Sequence, residues 1–269
     1  MKPLSHIYLY DNPTADGLDT EAIAAFLREL WPKVTVETRD ELAFHHSPGR
    51  PLDIGSARVW DLPWPGAPPE DPSPHRDRPP GVQDTSGGVD LTDFYDAAAL
   101  ADLCAGRIRH DELRDDRLHI AFVDELLGVF RAEDFAFQPK VAYLGPLTLI
   151  SASGIIEVPP RPEEYHFVLG QLERCGEVSE EDLDDLEEEF SDCCLTYGDG
   201  RLTDALSGYV LQAVAHHLTG VADCSSPECR LYDAPTQQEL LAAQCRPGAE
   251  ICAQCVRHLG IRPSMEDSN

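Results

Sequence analysis

Two pairs of closely spaced cysteines, Cys224-x4-Cys229 and Cys252-x2-Cys255, separated by 22 residues, constrain this chain more than any other feature. Tetrahedral zinc takes four thiolates at about 2.3 Å, and short loops bearing paired cysteines are the usual way to converge them. Four thiolates leave no open position for water, so such a zinc is structural. The alternative is four free, partly buried thiols. Cys245 could compete as a ligand, although it falls at the end of a segment, Thr236 to Gln244, that reads as a helix. Cys252-x-x-Cys255 also has the spacing of a redox pair. Such a pair normally follows a first strand and opens a helix, rather than lying beside another cysteine pair. Cys104, Cys175, Cys193 and Cys194 read as ordinary thiols.

The compartment follows from charge and cysteine usage. The formal charge is −28, from 49 acidic against 21 basic residues, and Lys2, Lys33 and Lys140 are the only lysines. Nucleic acid and anionic membranes are excluded as partners, because a surface this acidic repels polyanions. A lysine-poor, acid-rich composition resembles proteins of salt-loving archaea, where molar salt screens the self-repulsion. A hypersaline cytoplasm is the expected setting. The opening MKPLSHIYLYDNP holds no apolar run of signal-peptide length, and no stretch approaches the roughly 20 apolar residues of a membrane span. In a reducing compartment nine cysteines are thiols and metal ligands rather than disulfides.

With 42% apolar residues the 269-residue chain can bury a substantial core. HIYLY (6–10) reads as a strand. Ile23, Phe26, Leu27, Leu30 and Trp31 mark one face of a helix over 19–31, and VTVET (34–38) reads as a second strand. This β-α-β unit favours a parallel sheet. Eight prolines from Pro63 to Pro80 make 61–88 a linker or surface insertion. A helix is expected near 91–104, strands at 118–124 and 140–145, and two short strands or a bulged hairpin in the apolar run 147–158. Ser179 and Asp182 announce an acidic helix, and a long helix runs from Leu202 to Leu218 with Gly220 as its stop. The organisation expected is a β-α-β part (1–60), the proline-rich segment (61–88), a main domain (89–260) and a tail (261–269).

The order of Val123-Asp124-Glu125-Leu126, an apolar strand pair, a long helix, His217-x-x-Gly220-x-x-Asp223-Cys224-x4-Cys229 and a final Cys252-x-x-Cys255 resembles the archaemetzincins. GYVLQAVAHHLTGVADC with CRLYDAPTQQELLAAQC more narrowly resembles an archaeal family assigned to the metallopeptidases. The likeness covers roughly residues 118 to 260. Archaemetzincins carry His-Glu-x-x-His-x-x-Gly-x-x-His-Cys: three histidines for a catalytic zinc, a glutamate as general base, and a cysteine that joins three later ones around a structural zinc. The resemblance places the second histidine on His217, the glycine on Gly220, and the structural ligands on Cys224, Cys229, Cys252 and Cys255.

The rest departs from the pattern. Ala213 stands for the first histidine, Val214 for the glutamate and Asp223 for the third histidine. Aspartate can ligate zinc, but alanine and valine neither bind metal nor move a proton. His216 points about 100° away from His217 around the helix. His119 and His166 are the remaining histidines considered as substitutes.

The expected fold is therefore α/β: a mixed sheet with packed helices, a metzincin-like scaffold and a C-terminal four-cysteine zinc subsite. Catalytic residues are unassigned, and His217 with Asp223 is a candidate second metal site. Two functions compete, an atypical zinc peptidase holding two zincs and a peptide- or protein-binding module holding one.

Overall fold

The computed structural model describes residues 2–42, 53–59, 94–133, 135–176 and 178–261. The proline-rich segment 61–88 and the tail beyond Ile261 lie outside the described residues. The main sheet has five strands in the order β2-β1-β4-β8-β7, from β1 (His6–Tyr10), β2 (Thr35–Arg39), β4 (Arg117–Val123), β7 (Ala142–Tyr143) and β8 (Leu147–Ser151). All neighbours are parallel except β7, which runs antiparallel to β8. Because β1 lies between β2 and β4, chain on both sides of the proline-rich segment builds one sheet. A second sheet joins β3 (Phe94–Asp96), β5 (Leu126–Arg131) and β6 (Ala136–Lys140) in the order β3-β5-β6.

Parallel strands need both faces covered, and side chains alternate between them. Ile7, Leu9, Ile120, Phe122 and Ile150 turn to one face, where they share a core with α1 (Thr20–Leu30) and α6 (Leu202–Thr219). Tyr8, Tyr10, Ala121, Val123 and Leu149 turn to the other, against α2 (Ala97–Ala105). Asp19 caps α1 by accepting from the Ala22 N–H at 2.9 Å, and Gly220, left-handed at φ +81°, ends α6. No described helix is long and apolar enough to cross a membrane.

Three segments depart from the expectations. The helix near 91–104 begins only at Ala97, because Asp96, at the end of β3, accepts from the Ala98 and Ala99 N–H groups. The strand expected at 140–145 is divided between two sheets, with β6 ending at Lys140 and β7 starting at Ala142. The second half of 147–158 is helical rather than extended, forming α3 (Gly154–Glu157). There the Ser151 hydroxyl takes the Gly154 N–H at 2.8 Å, and a Cβ at Gly154 would press on the Ser151 side chain. The helices α4 (Glu163–Cys175) and α8 (Ala253–Leu259) and the β5–β6 hairpin carry no expectation from sequence. The acidic helix α5 (Glu180–Glu189) and α7 (Gln237–Gln244) form where read; Ser179 caps α5 as expected, and the Thr236 hydroxyl, which carried no expectation, caps α7.

His119, 1% exposed, is buried on the α2 face of the sheet. Its Nε2 lies 3.1 Å from the Glu112 carbonyl, which can only accept, so Nε2 carries the proton. Nδ1 then accepts from the Tyr10 hydroxyl at 3.0 Å, and the ring stacks on Tyr8 at 4.7 Å. Burial pushes the imidazole pKa below its ordinary 6.5. The unfolded chain therefore takes up a proton that the folded one refuses, so the contribution is complete above about pH 6.5 and lost as pH falls below it. His119→Gln leaves Tyr10 or Glu112 without its partner and is expected to destabilise by about 1–3 kcal/mol at pH 8. The gap in melting temperature between wild type and variant should narrow toward pH 5.5, and a gap independent of pH would contradict a neutral His119.

Candidate metal centre

After Gly220 the chain folds into a closed loop. The Cys224 N–H donates to the Leu231 carbonyl at 2.9 Å, Cys229 to Ser226 at 3.0 Å, and Tyr232 to Cys229 at 2.9 Å. A second segment docks on this loop where the Arg230 N–H donates to the Glu250 carbonyl at 3.1 Å. Cys252 then sits at the cap of α8 and Cys255 lies one turn further on. These backbone bonds converge four sulfurs to within 4.8 Å of one another. Cys224 Sγ and Cys252 Sγ are 3.9 Å apart, close to the roughly 3.8 Å edge of a tetrahedron built on zinc–sulfur bonds of about 2.3 Å. Backbone N–H groups of Ser226 and Cys252 point at the sulfurs of Cys224 and Cys229, each at 3.4 Å.

The electrostatics fit a divalent cation. The Cys255 N–H, followed by the neighbouring thiols, pulls the Cys252 thiol down to about 7. Burial and adjacent sulfurs push Cys229 and Cys255 up. So crowded a cluster cannot hold four thiolates unaided, and a bound cation removes that repulsion. Cys245 stays outside the set and contacts the Arg201 carbonyl at 3.8 Å.

The other candidates lie apart. His217, half-buried, faces the N-terminal segment: its Nε2 is 3.4 Å from the Pro3 carbonyl, and beside it the Lys2 N–H donates to Leu218. Burial pushes its pKa down. Asp223 is exposed. Among the described residues, the four cysteines are the one group of three or more metal-capable side chains brought together. Ala213 and Val214 are 2% and 0% exposed, packed in the core shared by α6 and the sheet. His119 points to the opposite face with both ring nitrogens engaged, and His166 is exposed on α4, edge-on to Tyr165. The structure brings neither to His217. The short helix α8, which opens at Cys252 without a side-chain cap bond, carried no sequence expectation, and its one signal is Gly260, left-handed at φ +64°, which ends it.

The sequence matches, over residues 3–260, the model of a probable metallopeptidase family (DUF6775). No curated protein matches it. Among solved structures, the chain is similar to the archaemetzincin from Methanopyrus kandleri. Sequence identity is 12%, the TM-score is 0.47, and 96% of this chain and 94% of that chain are covered.

The sealed state of α6 has a direct test. Ala213→His combined with Val214→Glu installs the residues that the archaemetzincin resemblance would place there, but puts a carboxylate in dry core without a partner. A loss of about 3–5 kcal/mol is expected in thermal or denaturant unfolding, with no additional metal bound. A stable double variant that takes up a further metal equivalent would show that the helix can open to solvent.

Proposed function

The chain belongs to this probable metallopeptidase family, and we propose that it keeps the family scaffold around a structural zinc, held by Cys224, Cys229, Cys252 and Cys255, without hydrolysing peptides. One observation carries the reading: the positions of the first metal ligand and the general base, Ala213 and Val214, are closed to water. A zinc peptidase holds its metal with three ligands, leaves a position for water and sets a carboxylate beside it. On α6 only His217 matches a ligand, and it is turned to Pro3. Loss of a positioned base alone removes about 10² to 10⁴ in rate. The zinc at four thiolates supplies folding energy and cross-links two loops, and no chemistry at an open position.

The role that remains for such a scaffold is to bind a peptide or protein. An exposed ring cluster favours this reading: Phe130 and Phe135, 46% and 74% exposed, meet edge to face at 6.0 Å on the β5–β6 hairpin. Exposed apolar patches of this kind mark interaction sites on soluble proteins. Nucleic acid and anionic membranes remain poor partners for a chain of charge −28, and a salt-rich archaeal cytoplasm is the setting that charge favours.

Metal analysis of protein purified in molar salt should return one zinc per chain, lost in Cys252→Ala. Peptide-library cleavage in the same buffer with added zinc should stay at background. Two zincs per chain, with chelator-sensitive cleavage abolished by His217→Ala or Asp223→Ala, would establish the enzyme instead. The melting temperature should rise from 0.1 M to 1 M salt, as the Debye length falls from about 10 to about 3 Å. A flat or falling response would remove the case for a hypersaline origin.

A further inference from the structure

The geometry points to Gln244 and Gly208 as the positioning pair of the metal centre: Gln244, seated on α6 where Gly208 leaves room for it, holds the rung from which Cys229 and Cys252 hang. This rests on the reading of the four thiols as a zinc site.

Gln244, at the end of α7, is 3% exposed. Its Nε2 donates to the Arg230 carbonyl at 2.7 Å, and its Oε1 receives the Arg230 Nε at 3.4 Å. Arg230 directly follows Cys229, and its own N–H donates to Glu250, two residues before Cys252. The Cys252 N–H in turn points at the Cys229 sulfur. One carboxamide thus holds both the carbonyl and the side chain of Arg230, the residue whose N–H links the two ligand-bearing segments.

The carboxamide has its place only because residue 208 lacks a side chain. A Cβ there would overlap the Cδ, Oε1 and Nε2 atoms of Gln244. The flexible end of a glutamine can move aside, but here moving aside means releasing Arg230. A methyl group on α6 therefore acts on the metal loop rather than on the packing of α6 against the sheet. One turn along, Gln212 reaches the same loop, its Nε2 3.4 Å from the Tyr232 carbonyl. Residues 208 and 212 lie on one face of the helix. That face of α6 serves the structural metal, adjacent to the stripe that carries Ala213.

Groups that orient metal ligands are worth about 10- to 100-fold in metal affinity when removed. The test uses the zinc-loaded full chain in molar salt, challenged with a chromogenic chelator, together with the cobalt(II) spectrum of the same variants. Gln244→Ala and Gly208→Ala should each weaken zinc retention by about 10- to 100-fold and shift the thiolate-to-cobalt bands. In the double variant the added methyl enters the space the carboxamide vacated, so retention should be no worse than in Gln244→Ala alone. Leu149→Ala, a core truncation facing α2, should lower the melting temperature and leave the cobalt spectrum unchanged. If Gly208→Ala does not fold, Gln244→Ala decides by itself. Retention and spectra at the wild-type level in Gln244→Ala, or losses that add in the double variant, overturn the positioning role while leaving the zinc site standing. A wild-type chain that takes up neither zinc nor cobalt overturns both.

Discussion

The packing of α6 against the parallel sheet is the constraint from which the rest follows. Residues 205 to 215 are buried without a break, and at 3.6 residues per turn an unbroken run of that length means the helix is covered on every side. A hydrolytic site needs one side of its helix open to substrate and water. Here the sheet, α1, α7 and the metal loop close around it, and the same closure that stabilises the core excludes a charged base from position 214. The burial of a valine at 214 and the absence of a carboxylate there are one fact seen from packing and from chemistry.

Closure also redirects the polar residues of the helix. A buried carboxamide must find partners, because leaving one unsatisfied costs about 1–3 kcal/mol. Gln212 finds its partner in the Tyr232 carbonyl, on the far side of the four-cysteine loop. The long helix is thereby bonded to the four-cysteine loop. Charge acts in the same direction. A chain of −28 has little means of holding four further thiolates together except by neutralising them, so a cation bound there would form a single folding unit with the loop.

What could be read from the sequence, and what could not, divides along identifiable physics. The helix α1 was legible because its apolar face repeats with helical period and Asp19 caps it, and α6 because Gly220 stops it where a left-handed residue is required. The cysteine pairs were legible because metal ligation demands short spacings, and the convergence of their sulfurs follows that demand. The β5–β6 hairpin was not, since its turn has no glycine or asparagine signal: Phe135 itself takes the left-handed conformation at φ +52°. The start of α3 hid inside an apolar run, where strand and buried helix cannot be told apart by period. Its deciding contact, the Ser151 hydroxyl on the Gly154 N–H, is visible only in three dimensions. Gln244 gave no signal for the same reason, because its partners lie 14 residues back in the loop and on a neighbouring helix.

The segment after Gly220 has little of its own to order it. The helices α7 and α8 have eight and seven residues, well short of the roughly 12 to 15 at which an isolated helix becomes even marginal. Some anchoring comes from the core: Leu259 and Ile261 are buried, and the Trp31 indole N–H reaches the Leu259 carbonyl at 3.4 Å. Outside α7, whose Leu240, Leu241 and Ala243 are also buried, the ligand loop itself buries little beyond Cys229 and Leu231. Apolar burial of that size yields only a few kcal/mol at about 1.5–3 kcal/mol per large side chain, set against roughly 1–2 kcal/mol of backbone entropy for each residue ordered. The deficit is of the kind that structural zinc makes up with about 10–16 kcal/mol of apparent binding energy. Loss of one of the four cysteines would remove binding energy that orders the segment covering α6.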